Sequence, residues 1–171
     1  QIDSAIYHCG AFEPETVAVI NRIVRPGMVC VDVGANIGYL TLHMAAQCQP
    51  DGAVFAFEPS EWAYERLQAN LALNSFDWVN TTRGLVGSHS EETVTLKLPC
   101  GYRIDRQDTA TVQTVPMVDL DSVFEEYPLS RLDFIKSDTD GYEPDVVRGA
   151  HQTIRRFRPT ILRSEERRVG K

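Results

Sequence analysis

The sequence runs to 171 residues, 43% of them apolar and 24% charged, with a formal net charge of -7. That length supports one domain with its own core rather than two, and no apolar run approaches the roughly 18 residues that a membrane span needs. The acidic balance argues against a nucleic-acid groove, which is lined by clustered Lys and Arg.

Read in chain order, Pro14 opens a helix with Val17, Ile20, Ile23 and Val24 on one face, and Arg25-Pro26-Gly27 ends it. Met28 to Val33 is short, apolar and largely β-branched, the composition of a buried parallel strand. A glycine loop, Gly34 to Gly38, leads to a helix over Tyr39 to Gln47, and Ala53 to Phe57 reads as a second buried strand. Ser60 is placed to cap a helix reaching Asn74, with Trp62, Leu67 and Leu71 inward. Val79 to Val86 is expected as a third strand, and Thr93 to Leu98 alternates like an antiparallel one. Gly101 to Ala110 reads as a loop, Thr111 to Met117 as a strand, and Asp121 to Tyr127 as a short helix. Leu132 to Ser137 is a further parallel strand, Pro144 starts one helix through Phe157, and Thr160 to Leu162 begins a last strand. Alternating helices and strands imply a mostly parallel α/β sheet with right-handed crossovers and helices on both faces.

The cysteines Cys9, Cys30, Cys48 and Cys100 form no C-x-x-C pair. Separate buried or half-buried thiols in a reducing compartment are expected, not a disulfide framework or a zinc site. No signal segment opens the chain, although Gln1 indicates that the natural start is absent; a cytoplasmic location is the expectation.

The last nine residues, 163–171, break the pattern, since six of them are charged where a buried strand should continue. A solvated terminus is the bland reading. The codon series AGA TCG GAA GAG CGT CGT GTA GGG AAA encodes this nonapeptide and resembles a widely used sequencing adapter. The expectation is a domain over 1–162, incomplete at both ends, with 163–171 as a non-native tail. Inspection of the source DNA tests it.

The chemistry concentrates at strand ends. Asp32-Val33-Gly34-Ala35-Asn36-Ile37-Gly38 joins a buried strand to a helix, where glycines allow a tight turn and a helix N-terminus favours an anion. A dinucleotide fingerprint needs glycine at the third loop position, and Asn36 stands there. An acidic residue before the first glycine suits a ligand with an ammonium beside a carboxylate. Glu58, ending the next strand, can accept both hydroxyls of a ribose, although alone it would read as a solvated strand-end glutamate.

These residues resemble the FkbM-type methyltransferases. The likeness rests on VDVGANIGYLTL, GAVFAFEPSEWAYERLQANLALN, VDLDSVF and LDFIKSDTDGYEPDVVRGA, which together span roughly Pro26 to Leu162. The resemblance implies a Rossmann-like class I methyltransferase fold using S-adenosylmethionine. By motif, Asp32, Gly34, Ala35, Asn36 and Gly38 would surround the methionine part and Glu58 the ribose, with Pro59 and Leu85 by the adenine. That fold continues past its fifth strand to a closing antiparallel pair, so this chain is expected to be truncated before it, with an exposed sheet edge. The family's range implies O-methylation of a sugar or other small metabolite; a non-catalytic adenosine-binding domain and a nicotinamide-dependent oxidoreductase are the alternatives. One departure stands out, since the family's glutamate before the last motif glycine is here Asp140, one methylene shorter.

Methyl transfer requires a nucleophile held in line with the methyl group, and an alcohol acceptor gains from a base. Lys136, Asp138 and Asp140 leave a strand at the carboxyl edge of the sheet, where open α/β folds bind ligands, and are the candidate catalytic residues. The alternative is that Asp138 and Asp140 shape the turn around Gly141 and Lys136 pairs with one of them. Such carboxylates could also hold a divalent cation, though no metal site is assigned. His43 reads as a packed or half-exposed helix residue, His89 as a loop residue near substrate, and His8 and His151 as surface positions. Trp62, Tyr64 and Phe76 read as helix-packing aromatics. The oligomeric state is left open.

Overall fold

The computed structural model describes residue 8 and residues 10–99, 110–139 and 141–163. In chain order its elements are α1 (Pro14–Ile23), β1 (Val29–Val33), α2 (Tyr39–Gln47), β2 (Ala53–Phe57), α3 (Glu61–Asn74), β3 (Val79–Thr82), β4 (Leu85–Val86), β5 (Glu91–Pro99), β6 (Ala110–Val118), α4 (Leu120–Glu126), β7 (Phe134–Ser137), α5 (Glu143–Gly149), α6 (His151–Phe157) and β8 (Thr160–Arg163).

Apolar strands that lie between helices must bury both faces, and β1, β2 and β7 do so. The main sheet has five strands in the order β3-β2-β1-β7-β8, all parallel. Alternation along each strand sorts the packing. Val31, Val33, Phe55, Phe57 and Ile135 meet Leu120, Phe124, Val146 and Ala150 on one side. Cys30, Val54 and Phe134 meet Ile20, Val24, Leu40 and Met44 on the other. Ala35 and Ala56 meet Leu67 and Leu71 of α3 beside them. Strand order reverses direction between β1 and β7, so the crevice beyond their carboxyl ends is the place where such sheets bind ligands. Residues 34–38 and 138–139 both leave the sheet there.

Several elements match the sequence reading to the residue, among them Tyr39–Gln47, Ala53–Phe57 and the Ser60-capped Glu61–Asn74, where the Ser60 hydroxyl accepts from the Ala63 N–H. Cys30 and Cys48 are buried free thiols; Cys9 and Cys100 lie outside the described residues. The loop expected at Gly101 to Ala110 lies there too, except that Ala110 opens β6. Among the described residues, no helix is long and apolar enough to cross a membrane.

Three expectations are corrected. Val79 to Val86 is not one strand. It breaks at Arg83-Gly84, and β4 leaves the main sheet for a second one, ordered β4-β6-β5. Gly84 lies close to the Pro116 carbonyl, and Pro116, without an N–H, sits in the part of β6 where the β5 register shifts. The helix from Pro144 to Phe157 is two helices parted at Ala150. Gly149 packs on the Gly87 carbonyl with no room for a Cβ, and Asp121 of α4 accepts the Gln152 and Thr153 amides, giving α6 an N-terminus of its own. Trp62 is half-buried, less inward than Leu67 and Leu71, and the Arg66 guanidinium stacks on it 3.8 Å from the ring centre.

Candidate cofactor site

Every backbone N–H of the loop after β1 is used inside the protein. Gly34 and Ala35 both donate to the Phe57 carbonyl at 3.0 Å, and Gly38 donates to the Ala35 carbonyl at 2.9 Å. Asn36 donates to Glu58 Oε2 at 2.8 Å, and Ile37 to the Asn36 side-chain oxygen at 2.8 Å. The Asn70 amide of α3 donates to the Ile37 carbonyl. The loop is thus tied to β2 and α3 rather than left with amides aimed outward. Its conformation explains its residues. Gly34 has φ +77° and Gly38 φ +90°, values that favour glycine, and Asn36 takes φ +51°, which asparagine tolerates. A Cβ on Gly34 would run into the Asp138 carbonyl oxygen, and one on Gly38 would come within 2.6 Å of Leu67 Cδ1.

Glu58 directly follows β2 at 7% exposure and bridges two segments, since its Oε1 accepts the Ser60 N–H at 2.8 Å while Oε2 accepts that of Asn36. Burial pushes its carboxyl above the usual glutamate range, partly offset by those two amides and by Lys136. A carboxylate has about four lone-pair positions, so two remain for a ligand.

Asp32 and Lys136 are register partners on β1 and β7 and share one face. Asp32 has no exposed surface and Lys136 only 5%. Thr41 of α2 donates its hydroxyl to Asp32 Oδ2 at 2.6 Å. Lys136 Nζ lies 3.1 Å from Asp32 Oδ1, an ion pair without hydrogen-bond alignment, and donates to the Gly34 carbonyl at 2.8 Å. Asp32 and Lys136 therefore sit beneath the loop. The expected pairing of Lys136 with Asp138 or Asp140 is replaced by this one, because the ladder sets Lys136 opposite Asp32. Thr41 was missed by sequence reasoning; a lone hydroxyl among Leu40, Met44 and Ala45 on the buried face of α2 was the available signal.

Asp138 is half-buried directly after β7, with its N–H on the Val33 carbonyl and its own carbonyl against Gly34. Asp140 lies outside the described residues. Glu143, just after these residues in the sequence, organises the turn, as its Oε1 accepts from the Thr139 N–H, the Thr139 hydroxyl and the Gly141 N–H. Burial raises its carboxyl, but these bonds outweigh burial and hold it below the usual range. Pro59 is half-buried beside Glu58, and Leu85 is buried in β4 opposite Met117. His43 is half-buried edge-on to Tyr39, while His89 is exposed 3.7 Å from Glu91 Oε2. His8 and His151 are exposed. Tyr64 and Phe76 pack as expected, Tyr64 with its hydroxyl on Thr81. Among the described residues, no group of three or more His, Cys, Asp or Glu could hold a metal ion.

A parallel sheet in this order, with a glycine loop and a carboxylate at its switch point, defines the Rossmann-like methyltransferase architecture. Residues 32–169 match the family model described as the Methyltransferase FkbM domain, and the chain belongs to that family. It is 27% identical to methyltransferase sdnD of Sordaria araneosa across 71% of its own length and 60% of that relative's, so it spans less than two thirds of the relative. Among solved structures it resembles a methyltransferase FkbM from Methylobacillus flagellatus KT, with a TM-score of 0.60 at 17% identity, covering 86% of this chain and 39% of that one. A SAM-dependent methyltransferase from Aquifex aeolicus overlays with a TM-score of 0.50 at 18% identity, covering 94% and 69%. At such identities these two establish the fold alone.

Proposed function

We propose that the chain carries the cofactor half of an S-adenosylmethionine-dependent methyltransferase that acts on an oxygen of a sugar or other small metabolite. The observation that carries the reading is the closed hydrogen bonding of residues 34–38 beside a buried Glu58. A dinucleotide's pyrophosphate needs loop amides, and here all five are spent. A ribose needs an acceptor for its hydroxyls, and Glu58 retains lone pairs for them. The local charge also suits a cation, since two buried carboxylates, Asp32 and Glu58, face one buried ammonium.

Gly34, Ala35, Asn36 and Gly38 would border the methionine part, backed by Asp32, with Glu58 at the ribose and Pro59 and Leu85 at the adenine. When bound, the sulfonium supplies a methyl group on a good leaving group. The protein's task is then to orient an acceptor and take its proton. Asp138 is the residue we place nearest the acceptor, because it leaves β7 against Gly34, and Asp140 is a secondary contact. A base in that position contributes about 10²–10⁴-fold. A screen of sugars and hydroxylated metabolites with methyl-labelled cofactor tests the acceptor class; label transferred only to an amine or a thiol would overturn the oxygen assignment.

A further inference from the structure

Lys136 stands in the sequence beside the candidate catalytic carboxylates, yet its ammonium is buried beneath the loop that follows β1. Two groups hold it. The first is the Asp32 carboxylate on the neighbouring strand at 3.1 Å, and the second is the Gly34 carbonyl, which it reaches at 2.8 Å. The second contact needs explanation. Charge balance for a buried aspartate requires only a nearby cation, but donation to a main-chain carbonyl fixes the orientation of the peptide that opens the loop.

We propose that Lys136 is a positioning residue for the cofactor loop, whose ammonium clamps the Gly34 carbonyl from below while Asp32 holds the ammonium in place. Glu58 provides the complementary grip, taking the Asn36 N–H from the β2 side. The turn is gripped at both ends, at a carbonyl by a cation and at an amide by an anion. Thr41 completes the arrangement by fixing Asp32 Oδ2 from α2, so the strand, the loop and the helix that follows it share one buried polar cluster. Charge-assisted hydrogen bonds of this kind are stronger and shorter than neutral ones. Loss of the Lys136 ammonium therefore frees the Gly34 peptide even where charge balance is restored by other means. This inference rests on the cofactor reading of the same loop.

The test uses Asp32→Asn and the Asp32→Asn, Lys136→Met double variant. Lys136→Met alone leaves Asp32 buried without its cation and is avoided for that reason, whereas in Asp32→Asn the ammonium keeps the Gly34 carbonyl as acceptor and the nearby Glu58 carboxylate as counter-charge. The comparison between the two variants cancels whatever Asp32 itself contributes. Calorimetric titration with S-adenosylhomocysteine should show the double variant binding about tenfold or more weakly than Asp32→Asn, the scale of one charged hydrogen bond. Amide hydrogen exchange without any ligand should show Gly34, Ala35 and Asn36 exchanging faster in the double variant, with Val54 to Phe57 unchanged. Equal affinities together with equal loop exchange would make Lys136 a charge-balancing residue only, and overturn the proposal. If the wild-type protein does not bind S-adenosylhomocysteine, the cofactor reading fails, and the exchange measurement still decides the role of Lys136.

Discussion

Replacing Glu58 with glutamine keeps its shape and removes its charge. The wild-type carboxylate accepts two backbone amides at 2.8 Å, from Asn36 and Ser60. Glutamine has one oxygen, so one amide keeps its acceptor and the other faces an NH₂ donor. A buried donor left without a partner costs about 1–3 kcal/mol. The same substitution removes acceptor capacity from the ribose site, where hydrogen bonds to a charged group contribute about 1.5–3 kcal/mol, or roughly ten- to over a hundred-fold in affinity. Urea unfolding and calorimetry with S-adenosylhomocysteine read the two effects separately. The pH dependence adds a sign. Burial raises the native carboxyl above its unfolded value, so the folded protein takes up this proton first as pH falls. For Glu58 the fold itself is then relatively favoured by acid, while the cofactor loses its carboxylate. Wild-type affinity should therefore decline on acidification from above the ordinary glutamate range, and Glu58→Gln should lack that decline. Unchanged stability together with unchanged affinity in Glu58→Gln would refute the bridge.

Gly34→Ala should lose both stability and cofactor affinity, since φ +77° costs a non-glycine residue on the order of 1–3 kcal/mol before the clash with the Asp138 carbonyl; a thermal melt checks it. Asp138→Asn should lower kcat by about 10²-fold or more with little change in S-adenosylhomocysteine affinity, once an acceptor is found; loss of binding with turnover per bound complex intact would make Asp138 a cofactor ligand. Asp119→Ala should cost about 0.5–2 kcal/mol by urea unfolding, because that carboxylate caps α4 through the Ser122 N–H and also binds Ser90. Burial raises the Asp119 carboxyl, but its hydrogen bonds prevail and hold it below the usual range. Its stabilisation is thus full above the ordinary aspartate range and is lost as pH falls through the lowered native value.

What the sequence disclosed and what it withheld divide along a physical line. The parallel strands announce themselves because Val29 to Val33 and Ala53 to Phe57 are buried on both faces and bounded by turn residues. Ser60 marks its helix for the same local reason, as a cap acts within one turn. The break at Ala150 was invisible, because it depends on Gly87 and Asp121, far away in sequence. The departure of Leu85 from the main sheet depends likewise on a distant strand, since Leu85 and Val86 pair with Met117 and Val118. In the site, the loop and Glu58 were legible as residue types at strand ends. Their mutual bond was not, nor was the placement of Lys136 under Gly34, since strand register across 104 positions decides that pairing. The sequence sets Lys136 beside Asp138 and Asp140, whereas β7 ends at Ser137 and its register with β1 places Lys136 opposite Asp32.

The central claim is that the crevice between β1 and β7 takes an S-adenosyl ligand rather than a dinucleotide. Calorimetric titration of the protein with S-adenosylhomocysteine and, separately, with NAD tests it most directly. Saturable binding of S-adenosylhomocysteine at a single site, weakened in Glu58→Ala, with no heat from NAD, is the predicted result. Binding of NAD with none of S-adenosylhomocysteine would contradict it.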